Sequence, residues 1–304
     1  YYQKPFVLWI SVLFYTLYLK GTLAQNVSSI GAPFKSKENS GLLVFYSFAE
    51  TINLFKHEIY INVTGVRELL DAFHYDCQLL PEERKKLEEI EKSPTKLRRP
   101  FIVIESNNRH TRRMVAKKLA NHMGGLYMNN PPPCLHRFRE SFLEHAILKK
   151  AFYSLSMYAS AVNVTRQWYN DVVVMAGFWH DQAAYSIART HQSGIPPKES
   201  SIYKWPSDLL RPDVAFFIHS PPPRFSRGAP INHVMRKRLL DVYRNMQDPG
   251  LIEISEIYNH DQIRYEMEVE LQKMYKADYQ KFLKPPKVFS RYGQQQPNPF
   301  YPKY

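Results

Sequence analysis

From Phe101 onward, short apolar runs alternate with longer stretches of helical periodicity, and this succession constrains the fold more than any other feature. The runs Phe101–Glu105, Val172–Ala176, Val214–His219 and Leu251–Ile254 are mostly β-branched or aromatic, with little polar alternation. Such runs suit strands buried on both faces. Between and around them, residues 111–123, 137–168 (long enough for two helices), 179–190, 232–246 and 259–279 place apolar side chains at helical spacing. Parallel strands need long crossovers, so strand and helix in succession imply an α/β domain, a parallel sheet with helices on both faces. We assign this domain to residues 97–283.

Residues 1–24 are expected to form a hydrophobic helix that targets or anchors the chain. Phe6–Leu19 is an apolar run broken only by Ser11 and Thr16, with Lys4 before it and Lys20 after. The run is short for a bilayer span and suits a signal-peptide core, with Thr22-Leu23-Ala24 as a cleavage site. No acidic residue precedes Glu38, which also suits a mitochondrial leader, although such leaders carry arginine and this stretch has none. The segment therefore points to a secretory or membrane location or to a mitochondrial one, with membrane contact through residues 5–19. Residues 25–96 read as a small, mostly helical region. It holds a strand-like Leu42–Tyr46, Val66, Leu69, Leu70 and Phe73 at helical spacing, and a helical turn opened by Pro81. Ser93–Pro100 reads as a linker. Residues 284–304 are rich in Pro, Gln and Tyr and are expected to be a disordered arm. Its Lys284, Lys287, Arg291, Tyr292 and Tyr301 suit docking on an acidic protein or lipid surface.

Charge narrows the partners. Forty-one basic against 28 acidic residues give +13, which favours anionic partners. No specific nucleic-acid partner is expected. Two cysteines, Cys77 and Cys134, are too few for a disulfide framework or a cysteine zinc site. They are expected to be separate thiols, although pairing is open to them. Sequons at Asn26-Val27-Ser28, Asn62-Val63-Thr64 and Asn163-Val164-Thr165 lend weak support to a secretory route. His180, His219 and His260 have no metal-like spacing, so no metal site is expected.

A strand that ends in Glu105 before a loop and a helix is where a phosphate-binding loop would lie. That chemistry needs Gly-x-x-x-x-Gly-Lys-Ser/Thr, with backbone amides around the phosphates, lysine on the terminal phosphates and a hydroxyl on magnesium. The chain instead reads Ser106-Asn107-Asn108-Arg109-His110-Thr111-Arg112-Arg113, and only 11 of its 304 residues are glycine.

Six segments over residues 97–280 nevertheless resemble the thymidylate kinase family, above all its mitochondrial UMP-CMP kinase branch. They are Phe101–Glu105, Pro131–Cys134, Ala151–Leu155, Phe178-Trp179-His180 with Ala184-Tyr185, Tyr203–Leu210 with Pro212-Asp213, and Asp248–Gly250. The resemblance implies a P-loop-kinase-like fold, and it also locates the departures. The two loop glycines are Ser106 and Thr111, the lysine is Arg112, the magnesium hydroxyl is Arg113, and the loop aspartate is Asn108. An Asp-Arg pair that helps hold metal and substrate phosphate is Ala176-Gly177, and a substrate-side asparagine is Met157. The arginine-rich lid is shortened to Pro221–Gly228.

Each departure has a cost. A Cβ at Ser106 or Thr111 disfavours the positive φ such a loop needs. Arginine is a wide planar fork in place of a compact charge. Without hydroxyl and aspartate, magnesium loses its protein ligands, and phosphoryl transfer depends on them. The basic Arg109, His110, Arg112, Arg113, Lys117 and Lys118 read as a solvated face or as an anion site at a helix N-terminus. Glu105 reads as a strand-end carboxylate paired with a new arginine; by resemblance it lies near bound nucleotide. Phe152 and Tyr153 suit the core, or stacking on a base, and Trp205-Pro206 suits an anchor. The expected function is a non-catalytic kinase-like protein, a binding or structural subunit without cofactor, joined to an unidentified protein or to a second copy. The alternative is an active or weak nucleoside monophosphate kinase using ATP and magnesium on dTMP, dCMP or UMP.

Overall fold

The computed structural model describes residues 44–93, 96–219, 233–255 and 259–285. The apolar run Phe6–Leu19, Asn26, the shortened lid Pro221–Gly228 and most of the C-terminal arm lie outside the described residues.

Five strands form one sheet: β1 (Phe101–Ser106), β2 (Leu126–Asn129), β3 (Val173–Ala176), β4 (Val214–His219) and β5 (Leu251–Ser255). Their order is β2-β3-β1-β4-β5, and every pair is parallel. β1 is central, so Ile104 stands between Ala176 of β3 and Phe216 of β4, and Glu105 opposite Phe217. The helices are α1 (Phe48–Lys56), α2 (Val66–Tyr75), α3 (Pro81–Lys92), α4 (Arg109–His122), α5 (Ala146–Gln167), α6 (Trp179–Thr190), α7 (His233–Asn245), α8 (His260–Tyr275) and α9 (Ala277–Phe282).

Side chains alternate across a strand, so each strand feeds two cores. Ile102, Ile104, Val174, Val214, Phe216 and Ile218 pack with Val115 and Leu119 of α4 and Ile263, Met267 and Leu271 of α8. Phe101, Val103, Val173, Met175, Ala215 and Phe217 pack on the opposite face with α5, α6 and α7. Glu105 continues the second series, which aims a carboxylate at the helices of that face. A parallel sheet covered on both faces fits a P-loop-kinase-like α/β fold.

α1 and α2 are built into the second core through Leu54, Phe55, Val66, Leu69 and Phe73. Asp208 fastens them by accepting from the Phe48 amide and the Tyr158 hydroxyl, both at 2.7 Å. Thr51 and Ser154 share a buried hydroxyl hydrogen bond at 2.8 Å.

The elements differ from expectation at four places. β2 is an edge strand of four residues without a β-branched side chain, so it carries no pattern signal. Residues 137–168 do not begin as helix: a 3-10 turn, Pro133–Phe138, and further turns precede α5. Val44–Tyr46 is not a strand; Phe45 is pulled into the core, and its carbonyl accepts from Trp179 Nε1. Cys77 and Cys134 are not separate thiols but a disulfide, with Cα atoms 5.7 Å apart. The end of α2 packs against the 3-10 turn and brings the two together, a tertiary contact that cysteine spacing does not encode. No helix among the described residues is long and apolar enough to cross a membrane.

Candidate functional site

The carboxyl ends of β1 and β3 and the first turns of α4 and α6 converge where an α/β sheet ordinarily binds its ligand. The connection from β1 to α4 is only Asn107-Asn108, because α4 begins at Arg109. Asn108 caps the helix: its Oδ1 accepts from the His110 amide at 3.0 Å and the Thr111 amide at 3.3 Å. Its own amide donates to Ser106 Oγ at 3.0 Å. These first-turn amides are the donors that an anion at a helix N-terminus would need. Here a side chain of the same turn takes two of them.

The strain expected at Ser106 and Thr111 does not arise. Ser106 ends β1, Thr111 lies in α4, and neither takes a positive φ. α4 begins at Arg109, so Thr111 lies in its first turn with helical backbone and no positive φ is required there.

Arg112 points inward and is 8% exposed. Its Nη1 lies 2.9 Å from Asp181 Oδ1 and 3.4 Å from Glu105 Oε2. Glu105 is wholly buried. Its Oε1 accepts from the Phe178 amide at 2.8 Å, and the carboxyl also accepts from the Asp181 amide. Glu105 thereby caps α6, whose own N-cap residue Phe178 contributes no side-chain bond. The Tyr243 hydroxyl donates to Asp181 Oδ1 at 3.4 Å, while its ring stacks on Phe217 with centroids 4.2 Å apart. Burial holds that phenol far above its ordinary acidity range.

Gly177 makes room for the guanidinium. It has φ +83°, and a Cβ there would stand 2.8 Å from Arg112 Cζ. The Ala176-Gly177 departure and the Arg112 departure therefore fit each other sterically. Gly177→Ala is expected to destabilise the fold by about 2 kcal/mol, from the left-handed backbone and the displaced guanidinium. Urea unfolding of the variant measures this, and a change under about 0.5 kcal/mol would mean that Arg112 does not lie there.

Charge in the cluster depends on pH. Burial, and then the Asp181 carboxylate, push Glu105 up to about 8 against the pull of Arg112 and the two amides. Burial pushes His180 down to about 4, opposed by its bond to the Pro249 carbonyl and aided by Arg211. A raised carboxyl means that the folded state keeps a proton the unfolded chain has lost. Its stabilisation is complete below about 4.5 and disappears as pH rises through 8. A depressed histidine does the reverse between about 4 and 6.5. The two slopes cancel until pH 6.5. From there to pH 8 stability should fall by about 1.4 kcal/mol per pH unit, roughly 2 kcal/mol in all. Glu105→Gln should flatten that fall, as read from urea midpoints at the two pH values; an unchanged fall would assign it to another group.

Other candidates are dispersed. Arg109 and Arg113 face solvent. With His110, Met114, Lys117 and Arg139 they line a groove of about 520 Å³. Phe152 is buried in the second core and packs on Phe142 and Tyr153, with ring centroids 6.1 and 5.3 Å away. Met157 is buried in the same core. Trp205 is partly buried, and its Nε1 donates to the Leu209 carbonyl at 3.0 Å. No cluster of three or more His, Cys, Asp or Glu able to hold a metal occurs among the described residues. Where the resemblance places a magnesium hydroxyl the chain has the exposed Arg113, and where it places a carboxylate it has the buried Ala176. Asp181 and Tyr243 were not among the residues expected from sequence. Asp181 falls in the first turn of a helix after a strand, a signal of position but not of partner, and Tyr243 offers none.

No family model matches the chain. The chain is similar to human UMP-CMP kinase 2, mitochondrial, at 27% identity over 206 residues, which cover 60% of this chain. The match spans 46% of that relative, so the chain corresponds to less than half of its length. The similarity is to a nucleoside monophosphate kinase, and the parallel sheet covered on both faces fits the kinase-like α/β fold.

Proposed function

We propose that this chain is a non-catalytic relative of nucleoside monophosphate kinases that acts as a binding or structural subunit. The observation that carries the reading is Arg112, locked between Asp181 and Glu105 against Gly177. Phosphoryl transfer is mostly positioning and charge neutralisation: amides around the phosphates, a cation on the transferred group, magnesium between them. Here Asn108 occupies amides of the first turn, and the cation at the lysine position is paired with the Asp181 carboxylate of its own chain and held against the Glu105 carboxyl. A phosphate entering would have to strand Glu105 and Asp181, or leave Arg112 where it is and forgo its charge. Both routes are costly where the guanidinium and Glu105 are buried, even though Asp181 is half-exposed.

The groove along α4 supports the binding role. Its cationic lining suits an acidic protein surface, and substitution of Arg109 and Arg113 there would not disturb the locked cluster.

The test is turnover. Pure full-length chain with ATP and magnesium should form no nucleoside diphosphate from dTMP, dCMP or UMP above the protein-free blank. Magnesium-dependent product that disappears in Arg112→Ala would overturn the reading and favour an active kinase with arginine in the place of lysine.

A further inference from the structure

We infer that Asn62 carries an N-linked oligosaccharide and that the chain matures in an oxidising lumen. The sequon Asn62-Val63-Thr64 lies on the turn between α1 and α2, with Asn62 and Thr64 both exposed. Asn62 Oδ1 accepts from Arg67 Nη2 at 2.8 Å, an exposed contact. Its Nδ2, the atom that bears the sugar, donates to no group among the described residues. An acceptor asparagine needs an accessible turn with a hydroxyl two residues on, and this one has both.

The sequon at Asn163 is built differently. It lies inside α5, half-buried, and its Oδ1 accepts from Arg166 Nη1 at 2.7 Å. Arg166 in turn holds Glu83 at 2.9 Å and the Gln78 carbonyl at 2.9 Å, tying α5 to α3 and to the segment before it. Thr165 is buried, and its hydroxyl donates to the Val162 carbonyl at 2.8 Å. A glycan on Asn163 would pry Arg166 from those partners.

The disulfide is an independent observation that points to the same compartment. Cys77 is 1% exposed, follows directly on the helix that Asn62 precedes, and is bonded to Cys134. Structural disulfides persist in secreted proteins and in the lumen of the secretory pathway, and are rare where thioredoxin and glutathione keep thiols reduced. Oligosaccharide transfer to sequons occurs on that lumenal side.

The transfer balances without redox change. Asn62 Nδ2 attacks the anomeric carbon of a lipid-diphosphate-linked oligosaccharide. A carbon–nitrogen bond forms, the bond from that carbon to the diphosphate oxygen breaks, the amide gives up one proton, and the lipid diphosphate leaves. The Thr64 hydroxyl serves recognition by the transferring enzyme.

The experiment expresses the full chain in a eukaryotic cell and maps glycosidase-released sites by peptide mass spectrometry, with alkylation of free thiols before reduction. The expected result is an occupied Asn62 peptide, a bare Asn163 peptide and no alkylation of Cys77 or Cys134. Thr64→Ala, which keeps the asparagine and its bond to Arg67, should leave the Asn62 peptide bare. An unoccupied Asn62 peptide in the wild-type chain, or alkylated cysteines in a chain recovered from the mitochondrial matrix, would overturn the inference. Peptide mapping of the wild type decides the matter even if a variant fails to fold.

Discussion

Arg112→Ala is expected to destabilise the fold by about 2–3 kcal/mol at pH 7, because it takes a buried guanidinium away from the half-exposed Asp181 and from Glu105, which is largely protonated at that pH. Glu105 is fully buried, and Asp181 would lose its nearest cation, 2.9 Å away. The cavity left beside Gly177 adds to the loss, since Arg112 fills that space. Equilibrium urea unfolding measures the loss. Combining Arg112→Ala with Glu105→Gln should recover part of the loss once pH rises above about 8, where the buried Glu105 otherwise ionises beside Asp181, and the double-mutant cycle isolates the coupling. Arg112→Lys should recover less than full stability, since both carboxyl contacts run through Nη1 and a shorter, more strongly hydrated ammonium must bring its charge to the same point. A loss below 1 kcal/mol would be the behaviour of a surface ion pair and would contradict the lock.

The second large effect is redox. Cys77–Cys134 closes a loop of 57 residues, which constrains the unfolded chain by about 4 kcal/mol in the loop-entropy estimate. For a chain of this size that is a fall of about 10 °C in Tm on reduction. Thermal unfolding with and without reductant measures it. The double variant Cys77→Ala, Cys134→Ala should unfold at the reduced temperature and ignore reductant. Identical Tm in both conditions for the wild type would mean that the bond is not formed in the folded protein.

Much of this architecture can be read from the sequence, and the boundary of what can be read is physical. β1, β3 and β4 are legible because a strand buried on both faces must be apolar nearly throughout, as Phe101–Ile104 and Val214–Ile218 are, while the edge strand β5 shows only through Leu251, Ile252 and Ile254. β2 escapes because an edge strand needs no such run. The degraded loop at Ser106–Arg113 is visible as a list of wrong residues. Its consequence is not visible, because the list alone suggests strain, whereas α4 starts at Arg109 under an Asn108 cap and no residue there needs a positive φ. The lock on Arg112 is the least legible part. Asp181 and Tyr243 come from distant helices, and only the sheet register that sets Glu105 beside Phe217 brings them together. The cysteine pair fails for the same reason: proximity belongs to packing between α2 and the 3-10 turn, not to spacing.

The central claim is that the phosphate site is closed from within, and nucleotide binding tests it most directly. Thermal unfolding of the full chain is followed with millimolar ATP plus dCMP or dTMP, once with magnesium and once with chelator. A bound ligand at about 100 times its Kd would add about 2.7 kcal/mol, a shift of several degrees. The account predicts no shift that depends on magnesium. A magnesium-dependent rise of that size, lost in a variant with leucine in place of Asp181, would contradict it and would mean that the cluster opens to admit a metal–nucleotide.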